Sequence, residues 1–217
     1  MVFENGDKYE GEFLLKKRRG YGIYTWSNGD KYIGRWMLSQ KDGQGEIIFA
    51  NGDKFDGQFK SGHVNGHGIF TYANGNKYVG MFKDDKLNGH GIFTYANGNK
   101  YEGMYKDDKP NGHGIFTYTN GEKCEGQWKN GTNYVGELKN GRSDGQGTMT
   151  WANGDRYIGQ WNEDYANGQG IFTWSNGNKY IGEFKNGKIH GKGSMTYKDG
   201  HRESGRWEEG IYAGEVH

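Results

Sequence analysis

Cysteine and proline are almost missing from this chain: Cys124 and Pro110 are single occurrences in 217 residues. One thiol excludes an internal disulfide framework and fits a reducing compartment. One proline excludes both a collagen-like and a proline-rich disordered chain. Aliphatic residues are scarce too. Only 32% of residues are hydrophobic, and half of that is aromatic, at 16%. A thick aliphatic core is therefore excluded, and rings must do most of the burying. No run approaches the roughly 18 apolar residues of a membrane-spanning helix. The opening Met1-Val-Phe-Glu-Asn-Gly has neither a basic segment nor an apolar one, so no signal peptide is expected. The net charge of +1 supplies no field to recruit nucleic acid.

Glycine is abundant instead, with 41 residues, and its placement is periodic. Tyr-x-Gly-x-aromatic recurs with anchors at Tyr9, Tyr32, Phe55, Tyr78, Tyr101, Cys124, Tyr134, Tyr157, Tyr180 and Glu203. The spacing is 23 residues up to 124, 10 from 124 to 134, and 23 again to 203. A Gly-x-Gly pair begins eleven residues after each full anchor, as at Gly20/Gly22 and Gly89/Gly91, and Asn-Gly or Asp-Gly closes each unit. A fixed period of this length signals a repeat architecture.

Each unit reads as two short strands. Alternation groups Tyr9, Gly11 and Phe13 on one face of the first, and Gly20, Gly22, Tyr24 and Trp26 on one face of the second. A two-residue turn at Asn28-Gly29 would throw Tyr32 to the other face. A three-residue turn, Ser27-Asn28-Gly29 with Gly29 left-handed, pairs Trp26 with Asp30 and keeps the rings together. The second is expected, because one consistent face can be dried. The predicted fold is all-β: an elongated single-layer antiparallel meander of stacked hairpins. Glycines on the ring face leave gaps across which neighbouring rings can lie.

The chain reads as one solenoid over 1–217, in sub-blocks 1–128 and 134–217. Between Trp128 and Tyr134 only Lys-Asn-Gly-Thr-Asn remains, so one strand of that unit is missing and a break in phase is expected there. Edge strands at both ends are expected to be open for self-association.

These repeats resemble the MORN ("membrane occupation and recognition nexus") repeat. Gly66-His67-Gly68, Gly89-His90-Gly91 and Gly112-His113-Gly114 carry its Gly-His-Gly centre. The resemblance implies the hairpin ribbon already argued. It also implies the roles of scaffold, dimeriser or lipid-binding module found in junctophilins, plant phosphatidylinositol phosphate kinases, radial-spoke heads and parasite cytoskeletons. A cytoplasmic setting, on a cilium, the cytoskeleton or the inner face of a membrane, goes with it.

Catalytic and cofactor readings find no support in the residues. Gly-x-Gly opens a strand here and no helix follows, so neither a dinucleotide nor a phosphate cradle is expected. His67, His90 and His113 stand about 10 Å apart, too far to share one zinc ion. No metal, cofactor or catalytic residue is assigned. Two surfaces remain as candidates. The first is the ring face as a groove for a helical or extended segment of a partner protein. It comprises Tyr9, Phe13, Trp26, Tyr32, Trp36, Tyr78, Phe82, Tyr101, Tyr105 and Trp128, then Trp151, Tyr157, Trp161, Trp174, Tyr180, Phe184 and Trp207. The alternative is an acidic-phospholipid patch. It combines the basic loop Lys16, Lys17, Arg18 and Arg19 with a cation row on the other face, including Lys31, Lys54, Lys77 and Lys100.

Overall fold

The computed structural model describes residues 1–215. Its strands are β1 (Lys8–Leu14), β2 (Lys17–Thr25), β3 (Lys31–Met37), β4 (Gln40–Ile48), β5 (Lys54–Lys60), β6 (His63–Thr71), β7 (Lys77–Lys83), β8 (Lys86–Thr94), β9 (Lys100–Lys106) and β10 (Lys109–Thr117). They continue as β11 (Lys123–Trp128), β12 (Thr132–Lys139), β13 (Arg142–Trp151), β14 (Arg156–Asn162), β15 (Tyr165–Thr173), β16 (Lys179–Lys185), β17 (Lys188–Thr196), β18 (Arg202–Glu208) and β19 (Ile211–Gly214). An eleven-stranded sheet holds β1 to β11 and an eight-stranded sheet holds β12 to β19, each in sequence order. Both are open, antiparallel runs of consecutive hairpins. Two compact units are distinguished, residues 1–123 and the chain from Cys124 onward.

Two kinds of turn alternate. The turn between units is the three-residue form: the Trp26 amide donates to Asp30 O at 2.9 Å and Gly29 to Trp26 O at 3.0 Å. Gly29 has φ +96°, and Tyr24 pairs directly with Tyr32. The ring face is therefore continuous from hairpin to hairpin, as the pattern requires. The turn inside each unit is the two-residue, doubly left-handed kind. It occupies Leu15-Lys16, Leu38-Ser39, Ser61-Gly62, Asp84-Asp85 and Asp107-Asp108 in the first five units. This corrects the reading of a loop before Gly20, because the second strand already begins at Lys17. Leu-Lys and Leu-Ser carry no turn signal, so the tips of the first two units were invisible in sequence.

The two strands then come back into step through a bulge. Gly11 pairs with Gly22 but Glu12 with Arg19, leaving Gly20 and Tyr21 as extra residues. The same shift recurs at Gly57/Phe59 and Gly80/Phe82. It bends each hairpin and aims its tip.

Side chains lock one unit to the next at both edges. The Ala50, Ala73, Ala96 and Thr119 amides donate to Asp30, Asp53, Asn76 and Asn99, each about one unit back. At the tips the Val64 and Leu87 amides donate to Asp85 and Asp108 at 2.7 and 2.8 Å. The Asp-Asp tips are thus inter-repeat staples.

Candidate interaction surface

The anchor ring and its glycine pair are one device. Tyr78 is completely buried and lies flat over Gly80 and Gly91. Its hydroxyl donates to Met81 O at 3.0 Å. A methyl group built on Gly91 would sit 2.5 Å from Tyr78 Cζ. Tyr9, Tyr32, Tyr101, Tyr157 and Tyr180 repeat the arrangement, each donating to the carbonyl three residues on. Burial raises the hydroxyl pKa of Tyr101, Tyr157 and Tyr180 to about 12.

The second aromatic of each unit locks neighbouring anchors together edge-on. Trp36 meets Tyr9 at 5.6 Å and Tyr32 at 5.1 Å between centroids. Phe82 meets Phe55 and Tyr78 at 5.1 Å, and Tyr105 meets Tyr78 at 5.2 Å. In the second unit Trp161 joins Tyr134 to Tyr157, and Phe184 joins Tyr157 to Tyr180. Trp128 and Trp207 are likewise buried. These rings are spent on the fold: of the anchors and the rings four residues on, Phe13 alone among those assigned to the groove is exposed, at 42%.

A second row on the same face is different. Trp26, Phe49, Phe70, Tyr72, Phe93, Tyr95 and Tyr118 are half-buried. Phe49 to Phe116 form a zigzag of tilted rings with centroids 4.5 to 6.0 Å apart. Trp151, Phe172 and Trp174 make the same row in the second unit. Phe49, Phe70, Tyr72, Phe93, Tyr95, Tyr118 and Phe172 were not singled out from sequence. Their alternation with the anchors was the available signal.

The basic loop is not a uniform patch. Lys16, Lys17 and Arg19 are exposed, but Arg18 is folded onto the ring face, its guanidinium 4.3 Å from Trp36 and 4.7 Å from Tyr24. The preference of a weakly hydrated guanidinium for an aromatic face accounts for this. Lys41 does the same over Phe59 at 5.2 Å, and burial lowers its pKa. The cation row on the opposite face alternates with threonines: Lys31 pairs with Thr25, and Lys77 with Thr71 and Thr94. Lys54 is bound to Glu46 at 2.6 Å and Lys100 to Glu102 at 2.9 Å. No cluster of three metal-ligating side chains occurs among the described residues, and none of their helices is long and apolar enough to cross a membrane.

The shortened unit keeps the device with other atoms. Cys124 stands where the anchor ring belongs. Asn133, 2% exposed, fills the gap over Gly126 and donates from Nδ2 to Gln127 O at 2.9 Å. That carbonyl lies three residues after the anchor, where a tyrosine hydroxyl would bind. The Cys124 thiol faces Asn133 and the buried Thr150.

The model of one protein family, the MORN repeat, matches nine consecutive segments: 9–31, 32–54, 55–77, 78–100, 101–123, 124–132, 134–156, 157–179 and 180–202. The chain belongs to the MORN repeat family. MORN repeats are non-catalytic interaction modules. No curated protein sequence matches the array. Solved structures with partial likeness include the SAS-4 TCP domain of Drosophila melanogaster in complex with a proline-rich motif of Ana2, at 10% identity over 91% of this chain and 94% of that one, TM-score 0.27. The G-box domain of the microcephaly protein CPAP gives 12% identity, 96% and 97% coverage and a TM-score of 0.28. An inactive virginiamycin B lyase of Staphylococcus aureus gives 10%, 91%, 88% and 0.19. At scores this low no property passes from those proteins to the MORN array.

Proposed function

We propose that the MORN array is a non-catalytic scaffold that docks a helical or extended protein segment along its half-buried ring row. The observation that carries this is the division of labour between the rings. The anchors and their edge-on partners satisfy one another. In the row from Phe49 to Tyr118 every ring except the fully buried Phe116 keeps part of its surface in water, on an open strip. A strip of aromatic surface at regular spacing suits a segment that presents apolar side chains at a matching interval. The phospholipid alternative draws less support, since Lys54 and Lys100 of the cation row are already paired.

The test places a photo-crosslinking residue at Tyr72 or Tyr95, on the strip, and at Met81, on the opposite face. A discrete protein adduct from the two strip positions and none from Met81 supports the proposal. Equal labelling from both faces removes it.

A further inference from the structure

The first two hairpin tips break a rule that every other tip obeys. The leading position of these turns is left-handed, and elsewhere it holds Ser61, Asp84, Asp107, Asn130, Asn140, Glu163, Asn186 or Glu209. In β1–β2 and β3–β4 it holds Leu15 at φ +49° and Leu38 at φ +50°. Leucine is disfavoured in this region, as Glu163 and Glu209 are, but at every other tip the side chain there is polar and suits a solvent-facing apex. Neither leucine recovers that cost by burial, being 89% and 66% exposed. Strain retained without a packing reward points to a use outside the fold.

The adjoining residues agree. Leu14 and Met37 are 48% and 54% exposed, where other units carry lysine, asparagine or glutamate. Together the four aliphatic side chains line a cleft of about 400 Å³ between the two tips, completed by Lys17, Arg18 and Arg19. The two hairpins that flank the cleft are tied to each other. The Arg18 amide and Nη2 donate to Ser39 Oγ and Ser39 O, both at 3.0 Å, and the Ser39 amide returns a bond to Arg18 O at 3.0 Å.

We propose that this cleft is a binding site for an acidic peptide segment that inserts one bulky apolar side chain between Leu15 and Leu38, its flanking carboxylates reaching Lys17 and Arg19. Charge complementarity names the partner: exposed cations on the rim of an apolar cleft attract a chain of opposite sign. The cleft has room for an aromatic ring. A bilayer suits it less, because the second apex residues are Lys16 and Ser39. Tip-first insertion would carry an ammonium group toward the hydrocarbon. The site lies apart from the ring strip, so the two stand or fall separately.

The test uses a labelled synthetic peptide with one tryptophan set among glutamates. Its controls carry lysine for glutamate or alanine for tryptophan, and vesicles of phosphatidylcholine with and without phosphatidylserine run in parallel. Fluorescence anisotropy reads binding, and NMR of the Leu14, Leu15, Leu38 and Met37 methyl groups locates it. The acidic tryptophan peptide should bind and shift those methyls, with either control weaker by roughly tenfold or more, the worth of one buried ring or of the charge pairs. Leu15→Asn with Leu38→Asn, residues suited to the left-handed position, should abolish binding in a chain that still folds. Lys17→Glu should weaken it. The proposal fails if the lysine peptide binds as well, if the double variant binds unchanged, or if only the anionic vesicles bind.

Discussion

Gly91→Ala should destabilise the array only because a ring is in the way. The added methyl would overlap Tyr78 Oη and lie 2.5 Å from its Cζ and 2.6 Å from its Cε2, while the backbone is not left-handed there. The ring must leave its place. That forfeits its burial, its edge-on contacts with Phe82 and Tyr105, and its bond to Met81 O. Truncating a buried aromatic costs about 3–5 kcal/mol, so Tyr78→Ala should fall in that range and Gly91→Ala near its lower end. In the double variant the obstacle is gone. Its stability should match Tyr78→Ala alone, a coupling energy of about 3 kcal/mol against additivity. Gly80→Ala is the control: its methyl meets Tyr78 Oη at 2.6 Å but also the Gly91 Cα at 2.5 Å and His90 O at 2.8 Å, so removing the ring leaves the backbone overlaps in place. Because repeat arrays need not unfold in one step, the measurement is hydrogen exchange of β7 and β8 amides beside urea denaturation. Additive costs at Gly91 and Tyr78 would refute the account of the glycines.

Alkaline pH should unfold the array through its anchors. Burial raises the folded pKa of Tyr101, Tyr157 and Tyr180 to about 12, above an unfolded value of about 10, so their stabilisation is intact below pH 10 and drains away up to pH 12. The loss is about 1.4 kcal/mol per tyrosine by pH 11, and Tyr→Phe at these positions should flatten the curve. Leu15→Asn and Leu38→Asn should each raise thermal stability, by about 1 kcal/mol, since they relieve left-handed strain and bury nothing less. Asn133→Ala should cost about 1–3 kcal/mol by stranding Gln127 O, read by denaturation. Cys124→Tyr should be harmful alone and tolerated with Asn133→Gly, which vacates the gap over Gly126.

The hairpin meander was legible because the chemistry that builds it is local. Asn28-Gly29 announces its own turn, and alternation in Tyr9-Glu-Gly-Glu-Phe13 states which side chains share a face. The tips were not legible. Leu15-Lys16 adopts a backbone conformation those residues disfavour, and Asp84-Asp85, which tolerates it, is fixed by a bond from the preceding unit, Val64 to Asp85. Nor was the division among rings legible. Trp36 and Trp26 look equivalent as sequence, yet one is buried between two anchors and the other is half-exposed.

By itself the sequence determined a 23-residue period, an all-β meander and one face shared by rings and glycines, since all three depend on spacing and on the backbone limits of glycine and asparagine. Only the tertiary structure decided which rings remain available, because burial is set by neighbours one unit away. It also decided that Arg18 stacks on Trp36 while Leu15 stands in water. Charge and hydropathy read along the chain suggest the reverse. A planar cation gains from a ring face, and a turn apex has nothing beside it to cover a leucine.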